Sequence, residues 1–233
     1  MKFFTKPLSG IIILILLVGP PIESKESIDK KIWKEALKIH HQAIVIDTHC
    51  DTPMVMIDRG LDIGKRSAKS KVDLIRMKEG GVDASFFAIF VSNRMDNKHP
   101  ARRALEMIDE IYNQVECYSQ LARIAVSPQD IRDIHDSGKR AILIGMENGG
   151  PIEGSLRFLR NFYRLGFRYV TLTHGDNNDI CDSSTAEKPR WNGLSEFGGK
   201  VVKEMNRLGM IIDVSHISDK AFWDVLEISR APV

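Results

Sequence analysis

Five side chains of the types that bind metal ions follow short apolar segments at four places in the sequence. His49 and Asp51 follow the first segment, Glu147 the second, His174 the third and His216 the fourth. Imidazole nitrogens and carboxylate oxygens are donors that suit Zn²⁺ and similar first-row ions. Such an ion makes a bound water a usable nucleophile near neutral pH and polarises a carbonyl group. This set of residues therefore predicts metal-assisted hydrolysis.

The apolar segments have the β-branched composition of buried strands, and a helical pattern follows each of them. Four predicted strands lead to the metal-type side chains: Ala43–Thr48, Arg140–Met146, Arg168–Thr173 and Met210–Val214. A fifth, Val82–Ser92, has no charged residue at its end, so we expect it to support the sheet without giving a ligand. Strands that alternate with helices and end in functional groups predict an α/β fold, a TIM-type (β/α)8 barrel. The chain supplies about the first five strand–helix units.

The pair His49 and Asp51 is separated by one residue at a strand end. Their side chains share one face of the strand, about 7 Å apart along the chain at ~3.3 Å per residue, so one metal ion fits between them. The alternative is a structural hydrogen bond between the two side chains. Cys50 points to the opposite face, which favours a packing role for it over a ligand role.

Glu147 follows a strand of the fully buried type. A carboxylate in such a place must be paired, protonated or metal-bound, because an isolated buried charge is too costly. Its two oxygens allow it to bridge two metal ions ~3.5–4 Å apart. The alternative is a salt bridge to a neighbouring Lys or Arg.

The two later histidines differ in how far the pattern defines their role. A lone histidine is most often a satisfied core residue, but His216 recurs with three other strand-end groups, which favours a metal-ligand role. His174 is either a ligand or an electrophile that polarises a carbonyl group. In the polar loop after His174 we expect Asp176, Asp179 and Asp182 to be solvated or to face the substrate.

Composition and length limit the class of protein. The 233 residues, 43% hydrophobic and 27% charged, are enough for one large α/β domain, which we place at residues 28–233. The net charge of +2, without a basic stripe carrying aromatic residues, gives no indication of nucleic-acid binding. The three cysteines show no CxxC spacing, which argues against a zinc ribbon.

The N-terminal residues have the pattern of an export segment. Lys2 and Lys6 precede the continuous apolar stretch 11–18, as in a secretory signal, and we predict such a segment at residues 1–22. The alternative is an uncleaved N-terminal membrane anchor. The protein is therefore expected in the periplasm or outside the cell, free or tethered to the membrane.

Several segments together resemble one enzyme family. They are Ile46–Pro53, Gly145–Asn148, Val170–His174, Asn192–Gly198 and, the most specific of them, Val202–His216. In these segments the chain resembles the membrane (renal-type) dipeptidase family, the M19 metallopeptidases. The similarity runs from about Ile28 to the last residue.

This resemblance implies a (β/α)8 barrel with two zinc ions that hydrolyses dipeptides, often with tolerance for a D-residue at the C-terminal position. By the same likeness His49 and Asp51 bind one zinc ion, Glu147 bridges both, and His216 binds the other. His174 contacts the substrate and steadies the tetrahedral intermediate. Glu147 and His174 are then the catalytic residues.

The resemblance also implies a further zinc-binding His, a substrate-binding Arg and a proton-handling Asp in later strands. The chain ends at Val233, about where the next strand is expected, so no residue here takes those roles. Two hypotheses follow: the N-terminal part of a zinc dipeptidase, or a catalytically inactive truncated barrel that only binds metal or a small ligand. A third is another metal-dependent amidohydrolase, which His-x-Asp instead of His-x-His at the first strand argues against. The expected partner is a dipeptide substrate, and a homodimer is left open.

Overall fold

A computed structural model describes residues 30–92 and 99–233 of the chain. The chain divides into two units, Met1–Leu37 and Lys38–Val233, and the described part of the first is the beginning of a helix. The predicted export segment, residues 1–22, lies outside the described residues. Among the residues that are described, no helix combines the length and apolar character needed to cross a membrane.

The described residues form eight α-helices and six β-strands. The helices are α1 (Lys30–Gln42), α2 (Thr52–Arg59), α3 (Leu74–Gly80), α4 (Pro100–Cys117), α5 (Pro128–Asp136), α6 (Leu156–Arg164), α7 (Glu196–Leu208) and α8 (Asp219–Ile228). The strands are β1 (Ile46–Cys50), β2 (Ala84–Phe90), β3 (Ala122–Ile124), β4 (Arg140–Glu147), β5 (Phe167–Thr171) and β6 (Ile211–Asp213).

The six strands form one parallel sheet. The order is β1-β2-β4-β5-β6, with β3 paired to the beginning of β4. Every pairing is parallel, and helices connect successive strands, as in one half of a (β/α)8 barrel. The five predicted strands are confirmed as the main path of the sheet. The short strand β3 is an addition, because three residues with one buried side chain give little strand pattern.

Alternate residues of each central strand point to opposite faces of the sheet. On β4, Ile142, Ile144 and Met146 pack in the large core beneath the helices, whereas Ala141 and Leu143 belong to a smaller cluster on the inner face. The inner row of β4 continues through Gly145 to Glu147 at the end of the strand. The strand therefore carries its only acidic side chain to the inner face at its carboxyl end.

Side-chain caps define where the helices begin. Ser127, Ser195 and Ser218 each accept a hydrogen bond from the backbone N–H three residues ahead. Gly209 ends α7 with a φ of 73°, a left-handed conformation that glycine adopts without strain. The helix end at Gly209 places β6 directly after α7.

A buried ion pair joins the amino ends of three strands. Asp83 accepts a hydrogen bond from the Val45 backbone N–H at 2.9 Å and pairs with Arg140 Nη1 at 3.1 Å. Both side chains are about nine-tenths buried. Because Asp83 precedes β2, Val45 precedes β1 and Arg140 begins β4, this pair sets the relative height of the strands that carry His49 and Glu147.

An ion pair between α6 and α7 makes the stability of the fold depend on pH. Glu204 accepts hydrogen bonds from Arg207 and, across the two helices, from Arg160 at 3.1 Å. The Arg207 guanidinium, with Arg160 and against the effect of burial, lowers the pKa of Glu204 to about 2 from its ordinary 4.5. A carboxyl whose folded-state pKa is lowered stabilises the fold above pH ~4.5 and loses that contribution as the pH falls towards 2.

We therefore predict that Glu204→Gln lowers the free energy of unfolding by about 1 kcal/mol at pH 7, and that the difference from the wild type narrows between pH 5 and pH 3. Urea unfolding followed by circular dichroism at several pH values measures this. Glu227→Gln, at an exposed position of α8, is the control and should show no such narrowing. A difference for Glu204→Gln that stays constant down to pH 3 would contradict the prediction.

Candidate metal centre

The five predicted side chains lie together at the carboxyl ends of the strands. His49 Nε2 is 3.5 Å from Asp51 Oδ1 and 3.3 Å from Glu147 Oε2. The Nε2 atoms of His174 and His216 lie 3.5 and 3.6 Å from Glu147 Oε1. The structure thus brings the five side chains together, with Glu147 at the middle of the cluster.

Glu147 is the most buried member of the cluster, with 8% of its side chain exposed. Phe90 of β2 lies beside it in register, and Thr171 of β5 lies on its other side. Among the described residues its ion-pair partners are the three histidines, and no Lys or Arg pairs with it. Each carboxylate oxygen faces a different part of the cluster.

His49 and Asp51 lie where β1 gives way to α2. The strand pairing is irregular between Asp47 and Cys50, and Asp47 accepts a hydrogen bond from the His49 backbone N–H at 3.1 Å. Asp51 occupies the N-cap position of α2, but its side chain makes no capping hydrogen bond. Its carboxylate is instead directed to His49, and both residues also lie near Glu147.

The electrostatics of this pair favour a cation. Hydrogen bonds to Asp51 and then Glu147 raise the pKa of His49 to about 10, against the opposing effect of burial. The same contact with His49 lowers the pKa of Asp51. Without a metal ion, the protonated imidazole of His49 supplies the positive charge that the two carboxylates require. A metal ion placed between the three groups would take over that charge and displace the proton.

Cys50 has the packing role expected for it. The residue is buried, and its Sγ lies 2.9 Å from Thr52 Oγ1, away from the cluster. Burial raises the pKa of the Cys50 thiol, which disfavours the thiolate that a metal ligand requires.

His174 and His216 face each other across the second part of the cluster. Their ring centroids are 4.3 Å apart, and the Phe90 ring packs against His174 at 4.7 Å. His216 has a φ of 67°, a left-handed backbone conformation that is rare for a residue with a side chain. The Ser184 backbone N–H donates to the His216 carbonyl at 2.9 Å, and the Ser183 hydroxyl donates to the His174 carbonyl at 2.5 Å. One loop therefore holds both histidines.

Asp182 organises this loop, and the expectation that it is solvated or faces the substrate is wrong. It is 1% exposed, and its carboxylate accepts backbone N–H bonds from Arg190, Trp191 and Gly193. Burial alone would raise the pKa of Asp182, but these N–H donors together hold it below its usual value. Its own carbonyl accepts from the Ser218 backbone N–H at 2.9 Å, which ties the loop to the start of α8. Asp179, by contrast, is exposed as predicted.

Tyr169 is part of the site, although the sequence did not indicate it. Its Oη lies 2.9 Å from His49 Nδ1, and the residue is 4% exposed. Burial is the largest of the effects that raise the pKa of Tyr169, so its phenol stays protonated at neutral pH. Its position two residues before Thr171, with the same inward direction as Glu147 on the neighbouring strand, is the signal that sequence reasoning could have used.

The donor atoms form two overlapping sets that could each hold a metal ion. One consists of His49, Asp51 and Glu147, the other of Glu147, His174 and His216, and in each set the ligand atoms lie within 4.8 Å of one another. Nitrogen and carboxylate donors without a thiolate fit zinc or a similar first-row ion. A cavity of about 450 Å³ opens over His49 and Glu147. The cluster therefore fits two ions that share one carboxylate.

The sequence and the structure are similar to known dipeptidases. The sequence matches the membrane dipeptidase family, peptidase family M19, over residues 33–233. It is 42% identical over 170 residues to dipeptidase tcpJ of Claviceps purpurea (strain 20.1), covering 70% of this chain and 40% of that protein. It is 34% identical over 214 residues to dipeptidase 3 of Mus musculus, covering 88% of this chain and 43% of that protein. The chain thus spans less than half the length of these two relatives.

A solved structure has the same architecture. The crystal structure of the probable dipeptidase PvdM from Pseudomonas aeruginosa matches with a TM-score of 0.79 at 28% identity, covering 87% of this chain and 54% of that one. This likeness confirms the predicted α/β class, with a parallel half-barrel that belongs to the TIM-type barrel.

The shared carboxylate leads to a prediction about metal content. His49→Ala should remove one ion per protein, and His216→Ala should remove the other, because each variant takes a ligand from one set only. Glu147→Gln should lower the occupancy of both, since one carboxylate oxygen faces each set. Metal analysis of the full-length protein after dialysis measures the content, with Glu79→Gln, an exposed partner of Arg66, as the control. Loss of a single ion in Glu147→Gln would contradict a shared carboxylate.

Proposed function

This chain belongs to the membrane dipeptidase family, peptidase family M19, and from that premise we propose that the protein is a zinc dipeptidase with two metal ions. The observation that carries the proposal is the position of Glu147, whose two oxygens face different pairs of metal-type side chains. These distances support a separate donor set for each ion, which the family likeness alone does not give.

The assignment of ligands follows the two sets. His49 and Asp51 would hold one ion, His216 would hold the other, and Glu147 would contribute to both sets. When bound, the ions supply an activated water and polarise the peptide carbonyl. His49 lines the open cavity and Asp51 is exposed, which leaves one side of the centre accessible to a substrate.

His174 has a different proposed role from His216, although both lie near Glu147 Oε1. Its Nε2–H donates to the substrate carbonyl oxygen as negative charge develops there, which favours the tetrahedral intermediate over the planar peptide. Phe90 against one side of the ring and the Ser183 hydroxyl on its backbone carbonyl keep the imidazole in place. Preorganised donors of this kind cost no reorientation during the reaction.

The substrate class is a dipeptide, and we include dipeptides with a C-terminal D-residue. The names of the relatives, dipeptidase tcpJ and dipeptidase 3, support this class. We further propose that the protein is exported. The support is the sequence pattern of Lys2, Lys6 and the apolar stretch 11–18, and N-terminal sequencing of the mature protein tests it.

The test of the proposed function is hydrolysis of a dipeptide panel by the full-length protein. We expect turnover that a chelator abolishes, that added Zn²⁺ restores, and that Glu147→Gln lacks even with zinc present. Tripeptides and N-acetylated dipeptides serve as negative substrates. Zinc binding without hydrolysis of any dipeptide would overturn the proposal and favour a barrel that only binds metal or a small ligand.

The two roles assigned to the second pair of histidines make a separate prediction. His174→Asn should keep both zinc ions but lower kcat by about 10²- to 10³-fold, the usual loss when one donor to a developing oxyanion is removed. His216→Asn should lose one ion and, with it, activity. Zinc analysis and kcat measured on the same samples separate the two effects. If His174→Asn loses an ion, His174 is a ligand and the proposed role is wrong.

A further inference from the structure

Tyr169 reaches a candidate metal ligand from the other side of the half-barrel. It lies on β5, three places away from β1 in the order of the sheet, yet its Oη is 2.9 Å from His49 Nδ1. The two rings are close to parallel, with an interplanar angle of 25° and centroids 6.2 Å apart. The side chain therefore crosses the inner face of the sheet instead of packing beside its own strand.

Gly145 makes this crossing possible. It is the residue of β4 that pairs with Tyr169, and a Cβ added to it would lie 2.1 Å from two carbons of the Tyr169 ring. A Cβ does not come so near to a non-bonded atom, so the Tyr169 ring occupies the space that a side chain at position 145 would need. Phe86 of β2 packs against the same ring with centroids 5.1 Å apart. The Tyr169 ring thus packs against Gly145 of β4 and Phe86 of β2, and its hydroxyl lies next to His49.

The two nitrogens of His49 face different partners. Nε2 is directed to Asp51 and Glu147, where the proposed ion lies, and Nδ1 is directed to the Tyr169 hydroxyl. A neutral imidazole that binds a metal through Nε2 carries its proton on Nδ1, and that N–H needs an acceptor. A partner on the second nitrogen fixes the tautomer and the ring orientation of a metal-bound histidine.

We propose that Tyr169 is a positioning residue for the metal centre: its hydroxyl oxygen accepts the Nδ1–H of His49 and so directs Nε2 to the ion, and Gly145 provides the space for it. This inference rests on the proposed assignment of His49 as a metal ligand. The alternative is a buried core tyrosine whose hydroxyl merely needs a hydrogen-bond partner, as buried tyrosines usually do.

The test uses Tyr169→Phe in the full-length protein. The variant keeps the ring and its packing against Phe86 and removes only the hydroxyl. We expect one of the two zinc ions to bind about 10- to 100-fold more weakly, which is the usual cost of losing a partner of a metal-bound histidine, and the other to be unchanged. Competition with a chromophoric chelator measures both affinities. Tyr112→Phe is the matched control, because it removes a tyrosine hydroxyl that donates to the Leu165 carbonyl outside the site.

Three further measurements test whether Tyr169 positions His49 or only packs in the core. In a His49→Ala background, Tyr169→Phe should cause no further loss of zinc affinity, because the hydroxyl would act only through His49. Long-range ¹H–¹⁵N NMR of the zinc-loaded protein should show the Nδ1–H tautomer of His49 in the wild type and a shifted or exchange-broadened signal in Tyr169→Phe. Gly145→Ala, which displaces the ring, should weaken the same ion as Tyr169→Phe.

The outcomes distinguish this inference from the proposed function. If His49→Ala loses one ion but Tyr169→Phe binds both ions as the wild type does, Tyr169 is a core residue and the inference is wrong. An effect of Tyr169→Phe that persists in the His49→Ala background would also overturn it. If His49→Ala keeps both ions, His49 is not a ligand, and the proposed function fails before the role of Tyr169 arises.

Discussion

The structure depends on one buried carboxylate at the end of β4. Glu147 has 8% of its side chain exposed, and among the described residues its ion-pair partners are His49, His174 and His216. A buried negative charge with no compensating cation is costly, so the fold must bring positive charge or a metal ion to this point. Three different strands and the segments that follow them serve this requirement. The parallel sheet satisfies it because the carboxyl ends of all its strands meet at one edge.

The two halves of the cluster are held in different ways. His49 and Asp51 lie on a continuous strand-to-helix junction, and Tyr169 supports the ring of His49 from across the sheet. His174 and His216 lie beyond the ends of short strands, and a loop rich in backbone hydrogen bonds connects them. The left-handed backbone of His216 shows how far this second half departs from regular structure. Because both halves meet at Glu147, this side chain links a displacement in the loop to the first half.

The sequence was sufficient for the main strands and for the cluster because both follow from local patterns. A buried strand has the sequence pattern of a short apolar run. A polar residue directly after it lies at the carboxyl end of that strand, as Glu147 and His174 do. β3 was not predicted because it is only three residues long. The role of Tyr169 in the site was not predicted, for another reason. An aromatic residue within a strand has the pattern of a core residue. The contact between Tyr169 and His49 also depends on Gly145 of β4, whose lack of a side chain lets the ring pass, and β4 is separated from β1 by β2.

Two buried acidic residues, Glu147 and Asp182, show why burial alone does not identify a functional carboxylate. The oxygens of Asp182 accept backbone N–H bonds from Arg190, Trp191 and Gly193, donors that stay with the carboxylate at every pH and leave it no need for a cation. The oxygens of Glu147 face imidazoles, which can exchange a proton for a metal ion. Backbone donors make the first carboxylate part of the loop structure, whereas exchangeable partners leave the second available for chemistry. The partner atoms, more than the degree of burial, therefore decide which of the two belongs to the metal centre.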